Sequence, residues 1–142
     1  MNHAAFGQAN LEITLKQGTP DEARTRDQLQ RLLSTFVHEQ FHWFLAERRE
    51  STEQAIADLR KLFQSVPAGG TAGARDEYST YLHLLVCYLE QQADLRVLGE
   101  LKTKQIMDFW ATDHYTWVYQ TIISRSRDVG QIMRDRKLIP GR

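Results

Sequence analysis

The sequence predicts a mainly α fold with a minor β component (α+β): five to six helices and one short N-terminal edge strand or small sheet, in a single domain over residues 1–142. Three observations predict it. Apolar residues recur at helical spacing over most of the chain, whereas only one short segment alternates strictly. Hydrophobic residues make up 42% of 142 residues, enough for one core. Glycine and proline cluster at a few points between the periodic stretches and punctuate them.

The elements follow in order. In residues 11–15, Leu11, Ile13 and Leu15 alternate with polar residues and share one face of a strand, which Gly18 ends. Thr19, Pro20 and Glu22 then form a helix start: an N-cap, a proline at the first helical position and an acid closing a capping box. The first helix is expected from Pro20 to Arg48 or Arg49. Its second half is apolar nearly all round, with Leu32, Leu33, Phe36, Val37, Phe41, Trp43, Phe44 and Leu45, which predicts a buried, central helix. Ser51 is read as the cap of a second helix over 51–66. Residues 67–74, rich in glycine and alanine, read as a flexible loop.

A third helix is expected over 76–98, apolar over most of its circumference and ended by Gly99. Further helical stretches are expected near 102–110, 113–124 and 128–137. Trp110 and Phe109 read as core.

The formal net charge is zero, so no long-range field marks nucleic acid or an anionic membrane as the partner. The basic C-terminal stretch, with Arg125, Arg127, Arg134, Arg136, Lys137 and Arg142 against Asp128 and Asp135, reads as a solvated helix face. No run of about 18 apolar residues exists to span a bilayer, and no signal peptide is visible. A cytoplasmic location is the expectation. The single cysteine, Cys87, lies in an apolar run and reads as a small core residue.

The chemistry is concentrated in His38-Glu39-Gln40-Phe41-His42, an H-E-x-x-H sequence inside an apolar helical stretch. At 100° per residue the two imidazoles point the same way, one turn apart, and can hold zinc together with a third ligand from elsewhere. Glu39 lies beside them, where a carboxylate can take a proton from an attacking water. The plainer alternative is a buried histidine pair with ordinary hydrogen bonds. It leaves several polar groups in an apolar helix needing partners.

On the third helix, His83, Cys87, Glu90 and Asp94 fall within about 60° of one line, a polar seam on an otherwise apolar element. Glu90 would complete a His₂Glu set. Asp94, one turn on, could accept the ring N–H of a liganding histidine. His83 is the rival third ligand.

With H-E-x-x-H on one helix and Glu90-x-x-x-Asp94 on a later one, the chain resembles the gluzincin branch of zinc metallopeptidases, the group containing thermolysin. The resemblance covers two short motifs. It implies a zincin-like fold, a Zn²⁺ cofactor, His38, His42 and Glu90 as ligands, Glu39 as general base and Asp94 orienting a histidine. It also implies a peptide or protein substrate paired along the strand at 11–15, and a donor to the reaction oxyanion, for which the polar-aromatic stretch around His114 and Tyr115 offers candidates. The expected function is therefore a small zinc metallopeptidase. The alternative is a non-catalytic zinc module engaged in protein interaction. Oligomeric state is open, and neither nucleic acid nor membrane is expected as a partner.

Overall fold

The computed structural model describes residues 20–141. The expected strand at 11–15 and the Thr19 cap lie outside the described residues. The chain divides into two compact units, Met1–Val37 and His38–Arg142.

Four helices are present among the described residues: α1 (Pro20–Glu47), α2 (Arg49–Leu62), α3 (Glu77–Asp113) and α4 (Thr116–Asp135). The fold is mainly α, with fewer helices than the five to six expected. The difference arises at two residues. Gly99 (φ 81°, ψ 176°) interrupts α3, as its lack of a Cβ allows, and Arg125 (φ −126°, ψ 25°) interrupts α4. At both points the helix resumes, so four expected stretches become two interrupted helices. No helix among the described residues is long and apolar enough to cross a membrane.

α2 begins earlier than its Ser51 signal. Arg48 leaves the helical region (φ −116°, ψ 51°) and interrupts the helix for one residue. The buried Thr52 hydroxyl donates to Leu45 O at 2.9 Å, satisfying a carbonyl at the end of α1 from inside α2. α3 starts on a conventional cap, with the Asp76 carboxylate accepting from Ser79 N at 2.8 Å.

The central helix is α3. Tyr81 and every residue from 83 to 90 are buried, and they pack with Leu45 of α1, Ile56 and Leu59 of α2 and Val118, Ile122 and Met133 of α4. The expectation that α1 is buried on all sides is corrected: Leu32 is 66% exposed, Phe36 46% and Trp43 69%. Burying a helix all round needs neighbours all round. Residues 38–47 have them on the side of His38 and Leu45, while the side carrying Trp43 is open among the described residues. Phe109, expected in the core, is also exposed, whereas Trp110 packs against it.

The glycine-rich segment is tied down by hydrogen bonds. Gly69 N donates to Ala74 O at 2.6 Å, and Thr80 Oγ1 donates to Pro67 O at 2.7 Å while accepting from Ala74 N. The carbonyls of Thr71 and Ala72 accept from Thr116 N at 2.9 Å and Trp117 N at 3.1 Å, the first amides of α4. A helix N-terminus has amides with no partner inside the helix, and this loop supplies two.

Candidate metal centre

The site lies within the unit His38–Arg142. α1 presents His38 and His42 one turn apart, and α3 presents His83, Cys87 and Glu90 along its seam. Tyr115 and Tyr119 come from the start of α4. His38, His83, Cys87, Glu90 and Asp94 are buried, His42 is half-buried and Glu39 is exposed.

Three imidazoles meet. The ring centroids of His38 and His42 are 5.0 Å apart, those of His38 and His83 5.4 Å, and those of His42 and His83 4.9 Å. His38 Nε2 and His42 Nε2 face each other at 3.2 Å. The other nitrogen of His38, Nδ1, is 2.7 Å from Glu90 Oε1 and donates its proton there. The same carboxylate oxygen accepts from the Tyr119 hydroxyl at 3.0 Å. His83 Nδ1 donates to the backbone carbonyl of Ser79 at 2.8 Å.

Two donor sets therefore form around His38. One is His38, His42 and His83; the other is His38, Cys87 and Glu90. Within each, one ligand atom per residue lies within 4.8 Å of the others. Glu90 reaches His38 on the nitrogen other than the one that faces His42, and it shares a donor set with His38 and Cys87 rather than with His42.

Burial sets the protonation states. It pushes His83 down to about 4, more than the bond to Ser79 raises it, so the ring is neutral near pH 7. Burial and then the neighbouring His38 lower His42. Burial raises the Cys87 thiol well above its ordinary value, followed by the Glu90 charge, and so keeps it protonated. Burial also raises Tyr119, which stays a phenol able to donate to Glu90. Neutral imidazoles are the form that binds a divalent metal.

Glu39, exposed and one residue after His38, partly offsets the lowering of His42 by burial and by His38, and burial is the main cause that raises Tyr115. Tyr115 adopts a left-handed backbone (φ 47°, ψ 42°) as the residue before α4. Its ring lies 4.3 Å from that of His83 and nearly parallel to that of His38 at 6.4 Å. A non-glycine residue in that region is costly, by about 1 kcal/mol or more, and such residues cluster at functional sites.

The other expected residues are placed as follows. His114 belongs to neither donor set: its Nδ1 lies 2.8 Å from Asp113 Oδ2 and its ring packs on Trp110 and Tyr115. Asp94 is buried one turn beyond Glu90, and the carboxylate 2.7 Å from His38 Nδ1 is that of Glu90. The partnership of Tyr119 with Glu90 escaped the sequence reading, since no spacing rule links residues 29 apart on different helices. A cavity of about 270 Å³, lined among others by Phe41, Leu89, Arg96 and Arg134, lies elsewhere and is not lined by any of the three histidines.

Comparison with protein-family models, with curated proteins and with solved structures gave no match.

Proposed function

We propose that this chain is a zinc-dependent hydrolase of the metallopeptidase type. The observation that carries the proposal is the convergence of His38 and His42 on a third donor from α3, with the exposed Glu39 one residue after His38 on the same helix. The donor set suits the ion: two nitrogens each about 2.05 Å from one zinc at a tetrahedral angle stand about 3.3 Å apart, and His38 Nε2 and His42 Nε2 are 3.2 Å apart. Zinc bound there would supply Lewis acidity to a carbonyl and acidify water.

The remaining chemistry falls to side chains. Glu39, exposed and one residue after His38, takes the proton of the attacking water and passes it to the leaving amine. Tyr115, held by the α4 cap, donates a hydrogen bond to the oxyanion that develops on the substrate. Glu90 and Tyr119 hold His38 in one tautomer. Support for a zincin-like arrangement comes from the H-E-x-x-H helix packing against the helix that bears the second motif. A reducing, cytoplasmic setting suits the free, buried Cys87.

Glu39→Gln tests the reading. The variant should retain zinc and lose about 10²- to 10⁴-fold in hydrolysis of a peptide library, the range for a general base. Unchanged turnover would reject Glu39 as the base. A wild-type protein that holds zinc and cleaves no peptide would favour a non-catalytic zinc module.

A further inference from the structure

We infer that the third metal ligand is His83, and that Glu90 is a positioning residue acting through His38, so that the ion is held by three neutral imidazoles. This rests on the metal-binding half of the proposal above and is independent of peptide hydrolysis. Three observations carry it.

The first is which nitrogens are already committed. His38 Nδ1–H is given to Glu90 and His83 Nδ1–H to Ser79 O. In a neutral imidazole the other nitrogen then carries the lone pair. The lone pairs that a metal could take are those on Nε2 of His38 and Nε2 of His83, and His38 Nε2 stands 3.2 Å from His42 Nε2. Glu90 sits at the far edge of the His38 ring from that meeting point.

The second is the spacing of the rings. With a metal–nitrogen distance of about 2.05 Å and a ring radius of about 1.15 Å, each centroid lies about 3.2 Å from the ion; at the tetrahedral angle the centroids are about 5.2 Å apart. The three observed spacings are 5.0, 5.4 and 4.9 Å. All three pairs match, including both that involve His83.

The third is the placement of Glu90. Its Oε1 is 2.7 Å from a histidine nitrogen, a hydrogen-bond length and too short for two ligands of one tetrahedral ion. Its donor set contains His38 and Cys87 without His42. The same oxygen also receives the Tyr119 hydroxyl. A carboxylate that accepts from a liganding histidine fixes its tautomer and raises its basicity. The fixed backbone carbonyl of Ser79 does the same for His83.

The chemical consequence is a site of three uncharged ligands, with the full double charge of the ion left on it. Such a site favours anions, and inorganic azide or acetohydroxamate are its natural probes. A His₂Glu site would carry one positive charge fewer.

The experiment measures zinc affinity by chelator competition in the full chain, with no enzymatic readout. Glu90→Gln keeps the shape and an oxygen acceptor, and should weaken zinc by no more than the roughly 10- to 100-fold typical of an orienting residue. His83→Ala should weaken it by more than that. His83→Gln preserves bulk and guards against a folding defect, with circular dichroism of the metal-free variants as control. X-ray absorption of the zinc-loaded wild type should show three imidazole shells and no protein carboxylate. The reverse ranking, or an absorption spectrum with two imidazoles and a carboxylate, would overturn the assignment. A wild type that takes up no zinc would overturn this inference and the metal reading together, whereas a zinc-loaded protein without peptidase activity would touch only the latter's catalytic half.

Discussion

Gly73→Ala should loosen the cap that holds Tyr115 over the histidines. A Cβ at Gly73 would stand 2.4 Å from Pro67 O and 2.7 Å from Pro67 C, both backbone atoms. Ordinary contact begins near 3.4 Å, so the segment must shift by about 1 Å (3.4 less 2.4). The bonds from Thr116 N to Thr71 O and from Trp117 N to Ala72 O, at 2.9 and 3.1 Å, would lengthen beyond hydrogen-bond range if that shift were along them. Overpacking costs about 1–3 kcal/mol and each weakened bond about 0.5–1.5 kcal/mol. The lower chain entropy of unfolded alanine returns about 0.4–1 kcal/mol. The net expectation is a loss of about 3 kcal/mol, which lowers the urea midpoint by about 1.5 M for an m-value of about 2 kcal/mol/M. Zinc affinity should not change, because the histidines are carried by α1 and α3. Equilibrium urea unfolding of the metal-free protein, followed by circular dichroism, measures the first effect. A midpoint that stays put or rises would refute the reasoning and return the loop to the flexible state its composition suggests.

Two further outcomes follow from other contacts. Asp58 accepts from Arg136 Nε at 2.7 Å and Nη2 at 3.0 Å, which holds its carboxyl below the ordinary range and joins α2 to the residue after α4. A depressed carboxyl contributes stability above its unfolded pKa of about 3.9 and loses it as the pH falls through the lower folded value. Asp58→Asn should therefore flatten the acid limb of urea midpoints below about pH 4, modestly because the pair is partly exposed; an identical limb in both proteins would show that the pair is inert. Tyr115→Phe keeps the ring against His83 and removes the donor, so kcat on a cleaved peptide should fall about 10²- to 10³-fold at constant zinc content. An undiminished kcat would place the oxyanion donor elsewhere.

The residue pattern by itself located the helical stretches and the polar groups each one carries. Pro20 opens α1, Gly99 marks a break that proves to be an interruption of α3 rather than its end, and His38 with His42 share a face by helical period alone. The polar seam of His83, Cys87, Glu90 and Asp94 is equally legible, because angles around one axis follow from spacing. Only the tertiary structure decided what those faces meet. It set Glu90 against Nδ1 of His38 and His83 beside both other rings, and it brought Tyr119 to Glu90 from 29 residues away. It also enclosed residues 83–90 of α3 and left Trp43 of α1 exposed, although both stretches are apolar over most of their circumference. Periodicity records which side chains share a face; it carries no information about the distance to, or identity of, the residue across the gap. The choice of third ligand is a matter of a few ångströms between two helices, and it lies beyond any pattern along one of them.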